Sequence, residues 1–277
     1  MALTRILIAV KTYPTLSDKY GELVCTAGFL EDGTWIRIYP VPFRKLTLDD
    51  QYQKYDWVDI DIERNMSDFR LESYKPKSLK NGFTFIEHLD TEKDKSWRRR
   101  KDIVLKNVYT NMTELIALAK DKTKYMSLAV LKPKEILGFK IKKVEREWDK
   151  NKLDQIKADE QQFNLFKNPQ KPSEIINKLP YKFSYTFTSE DDVERTLMIE
   201  DWEIGALYWN CLKKYDGLDA EDKACEDVKK RYFDDFAKTK DLYLFLGTTR
   251  EFHLIAPNPF VIIGVFYPDK VTQTSLF

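Results

Sequence analysis

Apolar and polar residues alternate along several stretches of the chain with the period of two that is typical of half-buried β-strands. The clearest stretches are Trp57–Ile62, Ile136–Val144 and Tyr181–Thr188. Shorter continuous apolar runs at Thr4–Val10 and Phe260–Phe266 have the length of buried strands. The pattern therefore predicts a chain rich in strands.

Two further apolar runs, Leu23–Phe29 and Thr34–Tyr39, flank an Asp-Gly pair at positions 32 and 33. Asp-Gly between two such runs favours a β-hairpin, because the tight turns of hairpins need positive φ angles. Pro40 and Pro42 are expected to end the second strand, since proline cannot donate a hydrogen bond to a neighbouring strand.

Helical spacing of apolar residues occurs between these strands. It covers Thr91–Ala119 with a break at 107–111, a polar stretch at Asp149–Phe166, and the segments Ile199–Tyr215 and Ala220–Lys238. Strands and helices in this order predict an α+β fold of mostly antiparallel sheets with flanking helices.

A break in the chain is expected at 168–172, where two prolines within four residues prevent a continuing helix. The break would separate a mixed α/β region, 1–167, from an α+β region, 173–277, that packs on it. The alternative is that both regions form one continuous domain. Residues 181–277 carry a net charge of −6 and the rest of the chain +7. An acidic region of this kind favours contact with a basic partner.

Composition narrows the function classes. No apolar run reaches the length of a membrane span, and no secretion signal precedes the first strand. Three scattered cysteines and two histidines match no disulfide framework, zinc site or catalytic triad, and the nine glycines form no nucleotide-binding motif. We therefore expect a cytoplasmic protein with no metal, no cofactor and no membrane partner.

The second hairpin strand carries a candidate binding surface. Trp35, Arg37 and Tyr39 lie two residues apart, so they share one face of the strand. With Arg44 and Lys54 nearby, this face combines ring stacking with positive charge, which suits an unstacked base and its phosphate. The alternative is a half-buried strand with its arginine extended to solvent.

Asp68, Arg70 and Glu72 form a candidate catalytic group in a loop-like segment, Ser67–Lys75. Two carboxylates four residues apart can orient water, and the arginine between them can lower the pKa of one. A salt-bridged surface loop is the alternative.

The most basic segment is Lys93–Lys101, in which a tryptophan adjoins four consecutive cations. Clustered cations neutralise phosphates and an aromatic ring adds a stacking face. The predicted nucleic-acid contacts here are Trp97, Arg98, Arg99, Arg100 and Lys101.

Asp201, Trp202 and Glu203 stand at the start of a predicted helix. Acidic residues in a first helical turn complement the helix dipole, which by itself explains them. If they faced the basic strand residues, they would form the acidic wall of a pocket.

These features lead to three hypotheses. In the first, the chain acts on nucleic acid, with DNA favoured over RNA, and hydrolyses N-glycosidic bonds with Asp68 or Glu72 while aromatic residues hold a flipped base. In the second, the same pocket binds nucleic acid or modified bases without chemistry. In the third, the chain is an interaction subunit that docks a basic protein through its acidic C-terminal region.

Overall fold

The structure, a computed structural model, describes residues 3–17, 21–47, 51–78, 82–151, 153, 154, 156 and 175–270. Over these residues the strands form three sheets in which antiparallel pairs dominate, and helices flank them. The α+β class predicted from the alternating pattern is confirmed.

The first sheet is built from residues 4–88, with the strand order β6-β7-β4-β3-β1-β5-β8 and β2 paired to β3. Its strands are β1 (Thr4–Lys11), β2 (Thr15–Ser17), β3 (Gly21–Phe29), β4 (Trp35–Val41), β5 (Asp56–Ile60), β6 (Ile62–Arg64), β7 (Ser73–Pro76) and β8 (Thr84–His88). The pairing of β4 with β7 is parallel, and it joins the hairpin to the segment that holds the predicted catalytic group.

Two smaller sheets complete the β-structure, with the orders β15-β14-β10-β9 and β11-β12-β13. Their strands are β9 (Val108–Tyr109), β10 (Leu128–Leu131), β11 (Glu135–Lys143), β12 (Tyr181–Thr188), β13 (Arg195–Met198), β14 (Tyr243–Thr248) and β15 (Phe260–Phe266). The predicted linker at 168–172 lies outside the described residues. Strands from both sides of it pair in each of these sheets, so the two regions share hydrogen-bonded structure.

The hairpin predicted from the Asp-Gly pair is confirmed. β3 and β4 are antiparallel with Phe29 opposite Trp35, and Gly33 has a φ of 86° in the turn. Glycine adopts such an angle without steric cost, because it has no Cβ.

Pro40 does not end β4, which continues to Val41. The β3–β4 register shifts at this level, and pairing of β4 with β7 stops at Ile38. No neighbouring strand therefore requires an N–H donor from Pro40.

The helices are α1 (Arg98–Val104), α2 (Met112–Lys120), α3 (Trp202–Leu212) and α4 (Ala220–Lys229), and α4 continues as a π-helical segment, Lys230–Ala237. Two predicted helix starts are wrong. α1 begins at Arg98 rather than Thr91, because Lys95 and Trp97 adopt left-handed angles before it. α3 begins after Asp201, because Ile199 is still hydrogen-bonded to Phe183 of β12.

The buried apolar side chains form three clusters, and one of them joins the first sheet to the second. In that shared cluster, Phe29 and Trp57 of the first sheet pack with Val130, Phe245 and Phe266 of the second. Phe245 contacts Phe29 and Trp35 at ring-centroid distances of 6.1 and 5.5 Å. The face of β4 that carries Trp35 is therefore covered by β14.

Candidate functional site

Asp68 and Arg70 are both buried and form a bidentate ion pair. The Asp68 carboxylate accepts hydrogen bonds from Arg70 Nε at 2.9 Å and Nη2 at 2.6 Å, and from Ser73 Oγ at 2.7 Å. Burial alone would raise the pKa of Asp68, but the hydrogen bonds and charge of Arg70, together with Ser73, hold it at about 2. This carboxylate is ionised and fully engaged at neutral pH.

Arg37 and Glu72 belong to the same network. The parallel pairing places Arg37 opposite Ser73, and Arg37 donates to Ser127 Oγ at 2.7 Å. Glu72 accepts from the backbone N–H of Ser127 at 2.8 Å. We call the set Arg37, Asp68, Arg70, Glu72, Ser73, Ser127 and Thr248 the buried arginine network. The network thus joins the predicted catalytic group, Asp68, Arg70 and Glu72, to Arg37 of the predicted binding surface.

His253 lies against this network and is fully buried. Its Nε2 is 2.7 Å from the carbonyl oxygen of Ala119, so Nε2 carries the hydrogen and donates it. Its Nδ1 then accepts from the Thr248 hydroxyl, also at 2.7 Å. Burial lowers the pKa of His253, so the ring is neutral at pH 7 with both nitrogens engaged.

Above the network, three loops bring half-buried rings together. Phe69 contacts Tyr125 and His253 at centroid distances of 5.1 and 5.2 Å. The exposed cations nearest along these loops are Lys122, Lys124 and Arg250. We call the set Phe69, Tyr125, Lys122, Lys124 and Arg250 the loop platform. Sequence analysis named the segment that holds Phe69 but not the other members, because the three segments come together only in the fold.

The other residues of the predicted binding surface, Trp35, Tyr39 and Arg44, are not part of the loop platform. Trp35 packs against the shared cluster, with its ring tilted relative to that of Phe29 at a centroid distance of 4.0 Å. Tyr39 is half-buried, and its carbonyl lies 3.5 Å from the Asn65 amide nitrogen. Arg44 forms an ion pair with Glu22 at 2.7 Å. Trp35 and Arg37 do share a face, as the strand period predicts, but Arg37 is buried and Trp35 is half-buried against Phe29 and Phe245.

The basic segment divides between surface and interior because its last residues are helical. The guanidinium of Arg100 is buried, lies 3.9 Å from the centre of the Tyr55 ring and donates to the carbonyl of Leu89. Arg98 and Arg99 are exposed, and each pairs with a carboxylate, Asp94 and Glu87 respectively. Trp97 packs on Phe266 and Tyr267, both at 5.2 Å, and Lys101 is half-buried.

Asp201 and Glu203 meet Lys54, which sequence analysis assigned to binding. Lys54 Nζ lies 3.0 Å from Glu203 Oε2, 3.3 Å from the Val265 carbonyl and 3.7 Å from Asp201 Oδ2. Burial raises the pKa of Asp201 to about 7. Although burial opposes it, the two carboxylates hold the pKa of Lys54 well above its usual value.

Trp202 contributes to a set of rings around Lys11, a residue that sequence analysis missed. Lys11 Nζ lies 3.9 Å from the ring centre of Phe43, 4.6 Å from that of Trp202 and 5.9 Å from that of Tyr52. Burial lowers the pKa of Lys11 to about 8. We call Lys11, Phe43, Tyr52, Lys54, Asp201, Trp202 and Glu203 the lysine cluster.

No cluster of histidine, cysteine and carboxylate side chains suited to a metal ion occurs in the described part of the chain. No helix among the described residues has both the length and the apolar character to span a bilayer.

Comparison with known proteins matches two family models, both defined only as domains of unknown function. The domain DUF8758 matches residues 2–106, which include all strands of the first sheet. The domain DUF8757 matches residues 108–277, more than half of the chain. No curated protein matches the sequence. The chain therefore belongs to the family defined by the domain of unknown function DUF8757.

Proposed function

We propose that this chain binds single-stranded nucleic acid at the loop platform. The observation that carries the proposal is the meeting of three loops at the half-buried rings of Phe69 and Tyr125. Lys122, Lys124 and Arg250 are exposed, lie within three residues of Tyr125 or His253 in the sequence, and form no ion pair within the described part of the chain. Stacking rings and unpaired cations are the two components of single-strand binding.

The buried arginine network holds the three loops of the platform in fixed positions. Arg70 donates to the carbonyl of Thr248 at 2.5 Å, and Ser127 is held by both Arg37 and Glu72. Each of the three loops is therefore hydrogen-bonded to the others below the rings. Because the loops are already held in place, nucleic acid that binds to them loses less binding free energy to loop ordering.

The contacts favour binding without chemistry over hydrolysis of an N-glycosidic bond. A general acid or base needs a free position and a pKa near the working pH. Asp68 is ion-paired, Glu72 accepts hydrogen bonds from Ser127, and both nitrogens of His253 are engaged. Hydrolysis by Asp68 or Glu72 is therefore the second candidate function.

Docking of a basic protein on the acidic C-terminal region has less support. Many of its carboxylates already contact cations of the same chain, so fewer of them are free to pair with the cations of a partner. The pairs include Asp191–Arg195, Glu221–Arg146, Asp235–Arg231 and Asp241–Lys132. The proposal keeps a cytoplasmic location, in agreement with the free thiols Cys25, Cys211 and Cys225.

The test compares two basic surfaces of the same chain. Fluorescence anisotropy with labelled single- and double-stranded DNA and RNA is measured between about 50 and 200 mM salt. Replacing Lys122, Lys124 and Arg250 by alanine is expected to weaken single-strand binding by roughly tenfold or more and to flatten its salt dependence. Replacing Arg98, Arg99 and Lys101 by alanine is the matched control, with an expected change below about threefold because Arg98 and Arg99 are already paired.

A larger loss in the control variant would move the binding site to the basic segment, and no binding by the wild type would reject the proposal. The same samples are assayed for abasic sites by alkaline cleavage. Strand breaks that disappear in Asp68→Asn while single-strand binding is kept would establish hydrolysis instead of simple binding.

A further inference from the structure

The loop platform is formed by the loops at 65–72, 121–127 and 249–259, which we call the platform loops. Five of the eleven large apolar residues that are exposed in the described part of the chain lie on the first and third of them. Exposed apolar residues concentrated in this way mark binding surfaces. We call the five, which are 42–86% exposed, the apolar loop residues: Met66, Leu71, Phe252, Leu254 and Ile255.

The small polar side chains of the platform loops are already hydrogen-bonded. Ser127 belongs to the buried arginine network, and the other serine, threonine and asparagine side chains bond to residues nearby in the chain at 2.7–3.4 Å. The pairs are Ser67 with Asn65, Thr123 with Asp121, Thr249 with the N–H of Phe252, and Asn258 with the N–H of Phe260. Glu251 is an exposed carboxylate, whose charge repels phosphate. A nucleic acid on these loops therefore meets apolar side chains and cations.

Tyr125 holds its ring on the platform in a strained backbone conformation. Its φ is 45°, a left-handed angle that glycine or asparagine commonly adopts after a helix and that is unfavourable for a bulky residue. Strained residues of this kind occur preferentially at binding sites. The half-buried ring lies 5.1 Å from that of Phe69, so the strain places two rings together.

We propose that the loop platform selects single-stranded DNA over RNA and thymine over uracil. This inference rests on the proposed binding of single-stranded nucleic acid at the same platform. The bases stack on Phe69 and Tyr125, and the apolar loop residues contact the 5-methyl group of thymine. The cations Lys122, Lys124 and Arg250, which form no ion pair within the described part of the chain, favour an anionic ligand of this kind over a neutral apolar one.

Both chemical differences between DNA and RNA act in the same direction on such a surface. A methyl group that leaves water for contact with aliphatic side chains adds binding free energy. A ribose 2′-hydroxyl that is placed against the same side chains loses its water and gains no hydrogen bond in return. Thymine in DNA supplies the methyl group and lacks the hydroxyl.

The test separates these two differences with four labelled oligonucleotides of equal length: oligo-dT, oligo-dU, oligo-rU and the ribose form of oligo-T. Fluorescence anisotropy is expected to show that oligo-dT binds at least about fourfold tighter than oligo-dU, since one buried methyl group contributes a factor of that size. Oligo-rU is expected to bind at least about threefold weaker than oligo-dU.

Failure of this inference is distinguishable from failure of the proposed function. Equal affinities for all four oligonucleotides would overturn the selection of DNA and thymine and leave single-strand binding in place. No binding of any of the four would reject the proposed function itself, and the inference with it.

A double variant tests the apolar loop residues. Leu71→Ser with Ile255→Ser changes two exposed positions, so the fold is expected to be kept while the affinity ratio of oligo-dT to oligo-dU falls close to one. Leu218→Ser is the matched control, because Leu218 is fully exposed outside the platform loops, and it is expected to keep the wild-type ratio. An unchanged ratio in the double variant would overturn the role of these residues. Sedimentation with phosphatidylserine vesicles that is lost in the double variant, without any preference for oligo-dT in the wild type, would assign them to a lipid surface instead.

Tyr125→Gly separates binding from stability. Glycine relieves the left-handed backbone, so the thermal midpoint is expected to stay the same or rise while all four oligonucleotides bind more weakly. A lower midpoint with unchanged binding would show that the ring serves the fold and would remove it from the site.

Discussion

Individual charged residues in this chain differ most in how far they are buried. Asp68 is 5% exposed and its partner Arg70 is 6% exposed, whereas the carboxylate of Glu63 and its partner Lys75 are about half exposed. Removing one partner from a buried pair leaves the other charge without compensation. An exposed pair leaves its partner in water, which costs little.

Asp68→Ala is expected to lower the free energy of unfolding by about 3–5 kcal/mol, because Arg70 stays buried without its carboxylate. Glu63→Ala is the matched control, with an expected loss below about 1 kcal/mol. Urea unfolding at neutral pH measures both. A loss of unfolding free energy in Asp68→Ala as small as that in Glu63→Ala would show that Arg70 finds another partner or reaches water.

The Asp68–Arg70 pair also predicts how the free energy of unfolding depends on pH. The pKa of Asp68 in the folded protein, about 2, lies below the ordinary value of 3.8. Its stabilisation is therefore present above about pH 4 and is lost as the pH falls toward 2, where the folded carboxylate also takes up a proton. In Asp68→Ala, this part of the decrease in unfolding free energy below pH 4 is expected to be absent.

At the scale of elements, α3 is placed by a close approach to the first sheet. A Cβ on Gly205 would lie 2.3 Å from a ring carbon of Tyr13, and that tyrosine also binds the indole N–H of Trp209. Glycine here is less favourable for the helix than alanine, but it lets the helix contact the segment between β1 and β2.

Gly205→Ala is expected to destabilise the protein by about 1–3 kcal/mol although alanine has the higher helix propensity, because the ring of Tyr13 must move. Gly138→Ala in β11 is the control, since the nearest atom to its Cβ would be 3.9 Å away. Its effect is expected to stay within about 0.5 kcal/mol. Thermal unfolding of both variants provides the comparison, and a stabilised Gly205→Ala would contradict the close approach.

Elements were predictable from the sequence where local pattern determines them. The hairpin follows from the Asp-Gly pair, and β12 and β15 follow from their apolar patterns with the bounds that the structure has. β7 was missed, because its short segment is polar and becomes a strand only by pairing with β4 and β6.

The candidate sites depend on contacts between distant parts of the chain. That Trp35 and Arg37 share a face follows from the strand period, but the residues that contact them, Phe245 and Ser127, are far away in sequence. The lysine cluster joins positions near 11, 50 and 200 in the same way. No local pattern carries that information.

At the scale of the whole molecule, the boundary between the two family models does not separate two cores. The shared cluster takes side chains from residues 2–106 and from residues 108–277. Hydrogen bonds also cross the boundary, since Arg37 donates to Ser127, Arg70 to the carbonyl of Thr248 and Lys54 to Glu203. The two matched parts are therefore expected to unfold together.

Calorimetry of the full chain is expected to show one cooperative transition, with equal calorimetric and van't Hoff enthalpies. Two resolved transitions would show that the matched parts are energetically independent. A variant that removes a side chain of the shared cluster, Phe245→Ala, is expected to shift the whole transition downward, as large-to-small core substitutions cost about 3–5 kcal/mol.

The shared cluster also limits how the molecule can admit a ligand. Proteins built from two lobes commonly open and close by a hinge motion around the ligand that they bind. Here such an opening would bring Phe29, Phe245 and their apolar neighbours into water, and it would pull Lys54 away from Glu203. A ligand is therefore expected to bind without separating the two matched parts of the chain.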